Sequence, residues 1–208
     1  MLAVDKTGGQ TMRNGIKIFI IMTVLCLLAG CGGGESVPER NTVSIQKDGT
    51  IRQTIVEQFE PEYYDIEELN TMAQEKIARL GSTNEAIVCE SMKADGGQIV
   101  VEMTYQTDTD YRNFNNRDIF NGTVSEAAAQ GYTFQNLVGT DGAAVGAEVV
   151  ASAGEDRVVI IQTKAGEALD VSVYGKIVYA SDNIALSGQK NAAISAGEED
   201  MVSCVVFQ

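Results

Sequence analysis

The most regular part of this 208-residue sequence begins at Arg157-Val158-Val159-Ile160-Ile161, where four apolar residues follow one another. Farther along, apolar and polar residues alternate from Leu169 to Val173, and β-rich stretches cover Lys176 to Ala180 and Met201 to Phe207. Turn signals such as Ala165-Gly166 separate these stretches at the spacing expected of antiparallel strands. The C-terminal half is therefore predicted to be mostly a β meander.

Two hairpins are predicted before that meander. In the first, an alternating strand from Thr42 reaches the turn dipeptide Asp48-Gly49, and a second strand returns from Thr50. The other hairpin joins strands over Ala86 to Met92 and Gln98 to Tyr105 around Asp95-Gly96-Gly97.

Helix signals fall between the predicted strands. Asp65 is placed to cap a helix from Ile66 to about Leu80, which Gly81 would end. Its predicted apolar face consists of Ile66, Leu69, Met72, Ala73, Ile77 and Leu80. A shorter helix is predicted over Thr123 to Gln130, with Glu126 at the capping spacing. The expected fold class is α+β, an antiparallel sheet with packed helices.

The N-terminal region has the order of an export signal. An apolar segment, Ile18 to Ala29, follows Arg13 and Lys17, and it is shorter than the roughly 20 residues that a membrane-spanning helix needs. It closes with Leu28-Ala29-Gly30-Cys31, an aliphatic residue and two small residues before a cysteine. This ending resembles the lipobox of bacterial lipoproteins.

The resemblance implies that signal peptidase II cuts between Gly30 and Cys31 and that the Cys31 sulfur carries a diacylglyceryl group with acyl chains such as palmitate. Two acyl chains are about what stable attachment needs. The implied division is a signal peptide over 1–30, a lipidated cysteine and flexible tether over 31–41, and one extracytoplasmic domain over 42–208. Met12 is a second candidate start. The alternative is an ordinary secretory signal with a chance cysteine.

Several blocks of the domain resemble lipoproteins of Gram-positive bacteria that have no established activity. These blocks are residues 43–49, 55–57, 63–65 and 175–183. The resemblance implies a location on the cell membrane and an architecture, but no mechanism.

The part after the signal is strongly acidic. One acidic and three basic residues precede Cys31, so 28 of the 29 acidic and 12 of the 15 basic residues remain, which gives a net charge of −16. This charge argues against a nucleic-acid partner and against adsorption to anionic lipid. Solubility explains it more simply than recruitment of a cationic partner.

The cysteines leave one disulfide to consider. Cys26 departs with the signal and Cys31 is the lipid site, so Cys89 and Cys204 remain. Export would permit a bond between them. Their apolar sequence neighbours suit buried free thiols equally well, and free thiols are the favoured alternative.

Catalytic and cofactor motifs fail on inspection. The chain has no histidine, which excludes imidazole chemistry and histidine-bound zinc. The glycines of Gly139-Thr140-Asp141-Gly142 lack the spacing of a nucleotide-binding loop, so a turn is expected there and no cofactor. A calcium-binding loop starting at Asp108 is excluded because its twelfth position, which needs a bidentate glutamate, is Ile119. An Asp capping the segment Tyr111 to Arg117 is expected instead.

An acidic run around two tyrosines is the best candidate for a contact surface, and no metal is assigned to it. The surface comprises Glu57, Glu60, Glu62, Tyr63 and Tyr64. Clustered carboxylates could bind calcium or a basic peptide, and tyrosines are favoured as interface anchors. In the simpler interpretation, Asp65, Glu67 and Glu68 stabilise the start of the helix and the other acids are solvated.

The sequence therefore predicts a non-enzymatic, lipid-anchored binding or structural module on the extracytoplasmic face of the cell membrane, whose partner is an unidentified envelope protein or glycan. Two alternatives stay open. One is a glycan-active enzyme that uses carboxylates alone, and the other is an accessory subunit of an envelope transporter.

Overall fold

The structure, a computed structural model, describes residues 38–60, 63–80 and 86–208. The described part is mostly β with four helices: α1 (Ile66–Arg79), α2 (Asp108–Asn115), α3 (Val124–Ala129) and α4 (Ala147–Ser152). The strands are β1 (Thr42–Ile45), β2 (Ile51–Gln58), β3 (Ile87–Asp95), β4 (Gln98–Tyr105), β5 (Ile119–Thr123), β6 (Leu137–Gly139), β7 (Ala144–Val145), β8 (Arg157–Thr163), β9 (Leu169–Val173), β10 (Ile177–Ser181), β11 (Ile184–Ser187), β12 (Asn191–Ile194) and β13 (Met201–Phe207).

The strands form two sheets, where the sequence analysis expected one. The first sheet has the order β11-β12-β9-β1-β2-β4-β3, and the second has the order β5-β8-β13-β10-β6-β7. The C-terminal meander is present, but its strands are shared between the sheets. The expected antiparallel arrangement is also interrupted, because β1 and β9 pair in parallel, with Thr42 opposite Asp170.

The apolar run in β8 is explained by burial on both faces of the second sheet. Because successive side chains of a strand point to opposite faces, Val159 and Ile161 face one layer while Val158 and Ile160 face another. The first pair belongs to the inner core, the cluster packed between the two sheets. The second pair belongs to the outer core, where the second sheet packs against α3 and α4.

Strand β13 is also buried on both faces. It pairs with β8 over its whole length, from Met201 opposite Thr163 to Phe207 opposite Arg157. Val205 and Phe207 enter the inner core, whereas Cys204 and Val206 enter the outer core. No helix in the described ranges is long and apolar enough to cross a lipid bilayer.

Two turn predictions and two cap predictions are confirmed. The β1–β2 turn contains Gly49 at φ 90°, and the β3–β4 turn contains Gly96 and Gly97, also at positive φ. Asp65 caps α1 by accepting hydrogen bonds from the backbone N–H groups of Glu67 and Glu68, at 2.7 and 3.3 Å. The Thr123 hydroxyl and the Glu126 carboxylate bond reciprocally to each other's backbone N–H at the start of α3.

The predicted Asp cap of residues 111–117 is wrong in its position. Helix α2 starts earlier, at Asp108, because Thr107 is its N-cap. The Thr107 hydroxyl accepts from the Asp110 N–H at 3.1 Å, and the Asp110 carboxylate accepts from the Thr107 N–H at 3.0 Å. The overlooked signal is the Thr-x-x-Asp spacing of a capping box.

The predicted apolar face of α1 is only partly buried. Ile77 reaches the inner core, whereas Met72 and Leu80 are 44 and 40% exposed. The reason is that α1 lies at the border of the first sheet, where it contacts β3. Gly81, the expected end of the helix, lies outside the described residues.

Replacing a buried isoleucine of β8 by alanine tests the burial of this strand in the inner core. We expect Ile161→Ala to lower the free energy of unfolding by about 2–5 kcal/mol, because Ile161 is 1% exposed and its loss leaves a cavity. Val202→Ala is the control, because Val202 lies in the adjacent strand but is 64% exposed, and its change should stay within about 0.5 kcal/mol. Urea unfolding measures both. Equal losses for the two variants would contradict the burial argument.

Candidate functional site

The structure divides the predicted contact surface into an exposed part and an inward-facing part. Tyr63, Tyr64 and Glu60 are exposed. Glu57 is half-buried and shares the inner face of β2 with Gln53 and Ile55. Glu62 lies outside the described residues. The five residues therefore do not form one continuous described surface.

The exposed part is fixed to the body of the protein by backbone bonds. The N–H groups of Tyr63 and Tyr64 donate to the Glu60 carbonyl at 3.0 and 3.2 Å. The Tyr64 ring lies 6.4 Å from that of Phe59, which is 7% exposed. The Phe59 N–H in turn donates to the carbonyl of Gly97 at 2.9 Å. The tyrosine pair is thus held by contacts with Glu60 and Phe59.

The charge of the inward-facing Glu57 interacts with those of two residues that the sequence did not single out. Arg117 follows α2, and Glu167 lies in the turn between β8 and β9. Their guanidinium and carboxylate groups form an ion pair, and Glu167 is 4% exposed. We call Glu57, Arg117 and Glu167 the Arg117 cluster. Its members come from distant parts of the chain, so no local sequence motif predicts the cluster.

Glu167 is held by a further hydrogen bond. The Lys164 backbone N–H donates to its second carboxylate oxygen at 3.1 Å. Next to this turn, the Lys164 ammonium contacts Asp200 at 2.7 Å, and Asp200 also accepts from the Ala165 N–H at 3.0 Å. The pKa of Asp200 is lowered, first by the Lys164 side chain and then by the Ala165 N–H. These bonds fix the β8–β9 turn, and with it the position of the Glu167 carboxylate.

The two carboxyl groups of the Arg117 cluster differ in their surroundings. Burial raises the pKa of Glu57 above its usual value, the negative charge of Glu167 raises it further, and Arg117 opposes the rise. Burial likewise raises the pKa of Tyr111, which responds to the charges of Arg117 and Glu167. A buried acid beside an ion-paired one resembles the division of roles in carboxylate enzymes. However, Glu167 is too enclosed to meet a substrate, so this pair does not by itself form a catalytic site.

Metal binding gains no support from the described residues. In the ranges that the structure covers, no three Cys, Asp or Glu side chains converge on one point. The carboxylate of Asp110, from the failed calcium loop, is engaged in the capping box.

Cys89 and Cys204, the cysteines within the described ranges, are free thiols. Cys89 is half-buried on β3 of the first sheet. Cys204 lies on β13 of the second sheet, and its side chain is in the outer core. The disulfide alternative is therefore not realised. Burial raises the pKa of both thiols, that of Cys204 to about 12, which keeps them protonated and poorly nucleophilic at neutral pH.

The raised pKa of Glu57 predicts a pH-dependent variant. The folded state binds this proton more tightly than the unfolded chain does, so the resulting stability is complete below the usual pKa and is lost as the pH rises through the higher folded value. At about pH 7 the ionised Glu57 is then a cost, and Glu57→Gln should raise the melting temperature above that of the wild type.

At about pH 4, where both states of the wild type hold most of this proton, the advantage of Glu57→Gln should shrink. Thermal unfolding at the two pH values measures the difference. Glu60→Gln is the exposed control and should show a smaller change at both. A melting temperature for Glu57→Gln below that of the wild type at about pH 7 would contradict the account.

Breaking the Arg117 ion pair should be costly. In Arg117→Met the Glu167 carboxylate stays buried without its partner, and we expect a loss of about 3–5 kcal/mol in the free energy of unfolding. Adding Glu167→Gln removes the stranded charge and should recover part of that loss. Arg112→Met is the control, because its contact with Asp108, at 3.6 Å, is partly exposed and should contribute less than about 1 kcal/mol. If both single variants unfold at the same denaturant concentration, the ion pair has no special role.

Comparisons with protein-family models, with curated proteins and with solved structures find no match to this chain.

Proposed function

We propose that this protein is a lipid-anchored module of the cell envelope, held on the extracytoplasmic face of the membrane by a diacylglyceryl group on Cys31. The observation that carries the proposal is the sequence Leu28-Ala29-Gly30-Cys31 after a short apolar segment with a basic flank. Its folded part would present a surface to an envelope protein or a glycan.

The position of the first strand supports this proposal. Strand β1 begins at Thr42, eleven residues after Cys31. Just before it, the Asn41 carbonyl accepts from the Asp170 N–H at 2.9 Å, and its side-chain oxygen accepts from the Val56 N–H at 2.7 Å. Arg40 contacts the Asp170 carboxylate at 3.3 Å. The two-sheet domain, which we call the sandwich, is thus bonded to Arg40 and Asn41, the last two residues of the proposed tether.

The tether length and the charge fit the same arrangement. Eight residues lie between Cys31 and Arg40, and an unstructured segment of that length would have an end-to-end distance of roughly 14–17 Å, which would hold the domain just above the head groups. The net charge of −16 after Cys31 opposes adsorption to anionic lipid, so attachment would depend on the acyl chains.

Replacing the acceptor sulfur tests the anchor. We expect Cys31→Ser to leave the membrane fraction, because serine has no thiol to receive the diacylglyceryl group. Fractionation followed by immunoblotting measures the distribution. Cys26→Ser is the matched control, because Cys26 precedes the proposed cleavage point and should not affect attachment. Unchanged membrane association of Cys31→Ser would rule out the proposal.

A further inference from the structure

We propose that Tyr63 and Tyr64 form a membrane-contact patch that enters the lipid interface beside the Cys31 anchor. The inference rests on the proposed function, because it requires a tether that holds this end of the sandwich close to a bilayer. It assigns a lipid surface as the occupant of the exposed tyrosine pair and gives the anchored protein a defined orientation.

Both tyrosine side chains are exposed while their residues are held by neighbouring groups. Tyr63 is 73% exposed and Tyr64 is 44% exposed, both among the most exposed large apolar side chains of the described residues. Their turn is bonded to Glu60, and the Tyr64 ring contacts the buried Phe59. Because Glu60 and Phe59 already hold these two residues, placing their rings in an interface costs little additional conformational entropy.

The second argument is position. Strands β1 and β2 are antiparallel, with Thr42 opposite Thr54, so β2 continues from Thr54 to Gln58 in the direction from which the N-terminal segment arrives. The tyrosine turn follows directly after β2. It therefore lies at the end of the sandwich where Asn41 enters, which we call the tether end.

The length of the preceding chain sets how far the tether end can move from the bilayer. Only residues 32–41 separate the proposed lipid site from Thr42. Arg40 and Asn41 are bonded to the domain, so eight residues separate Cys31 from the first bonded residue, and an unstructured segment of that length would average roughly 14–17 Å, within reach of the head groups. The opposite end, which includes Gln189 in the β11–β12 turn, lies at the far side of the strands.

The third argument is chemical. Tyrosine has an apolar ring and a polar hydroxyl, and it is enriched where lipid head groups meet the hydrocarbon region. The nearby exposed carboxylates of Glu60, Glu67 and Glu68 would be repelled by anionic lipid. The patch is therefore suited to a surface with few anionic lipids and to contact that the acyl anchor maintains. It is too small to bind a membrane by itself.

The absence of tryptophan from the sequence allows a direct test. Tyr63→Trp introduces one fluorescent reporter into the patch, and Gln189→Trp introduces the same reporter at the opposite end. Both would be made in the full-length lipidated protein and reconstituted into phosphatidylcholine vesicles, with and without lipids brominated near the head-group end of their acyl chains.

We expect Tyr63→Trp emission to shift to shorter wavelength on vesicles and to lose intensity with brominated lipid, while Gln189→Trp emission does neither. If both variants float with the vesicles and their emissions respond alike, the patch is overturned and the anchor stands. That result would also favour a protein as the occupant of the tyrosine pair. If neither variant floats, the anchor itself fails and the membrane-contact patch fails with it.

Discussion

The two-sided burial of β8 and β13 is the constraint on which the rest of the structure depends. These paired strands supply side chains to the inner core through one face and to the outer core through the other. The first sheet and the two short helices α3 and α4 can cover the second sheet only because both faces of its centre are apolar. Fully burying a valine or isoleucine side chain contributes about 1.5–3 kcal/mol, so this pair of strands is a large part of what makes a three-layer arrangement favourable.

Turns and helix caps, which depend on residues close together in the sequence, could be predicted. Strand pairings between distant segments could not. The Asp48-Gly49 turn, the Asp65 cap and the Thr123–Glu126 capping box each use residues within a few positions of one another, so local chemistry specifies them. The parallel pairing of β1 with β9 joins Thr42 to Asp170, and nothing in either strand alone identifies the other. The same holds for the division of the meander between two sheets, since alternating strands are compatible with either sheet.

The candidate site shows the same limit. The sequence places Glu57 in an acidic run with Tyr63 and Tyr64, but strand alternation turns Glu57 inward, toward Arg117 and Glu167. Arg117 and Glu167 are 50 residues apart, and neither lies in a recognisable motif. Glu57 and the tyrosine pair, which are neighbours in sequence, therefore face in different directions. Glu57 faces inward toward the Arg117–Glu167 ion pair, and the tyrosine pair that follows β2 is exposed.

The central claim is that Cys31 carries the lipid that holds this protein at the membrane, and the mature N-terminus tests it most directly. Mass spectrometry of the N-terminal peptide from membrane-extracted protein would measure both the cleavage point and the modification. The account predicts a peptide that begins at Cys31 and carries the mass of a diacylglyceryl group on the sulfur. A peptide that begins at another residue, or one that begins at Cys31 with an unmodified thiol, would contradict it.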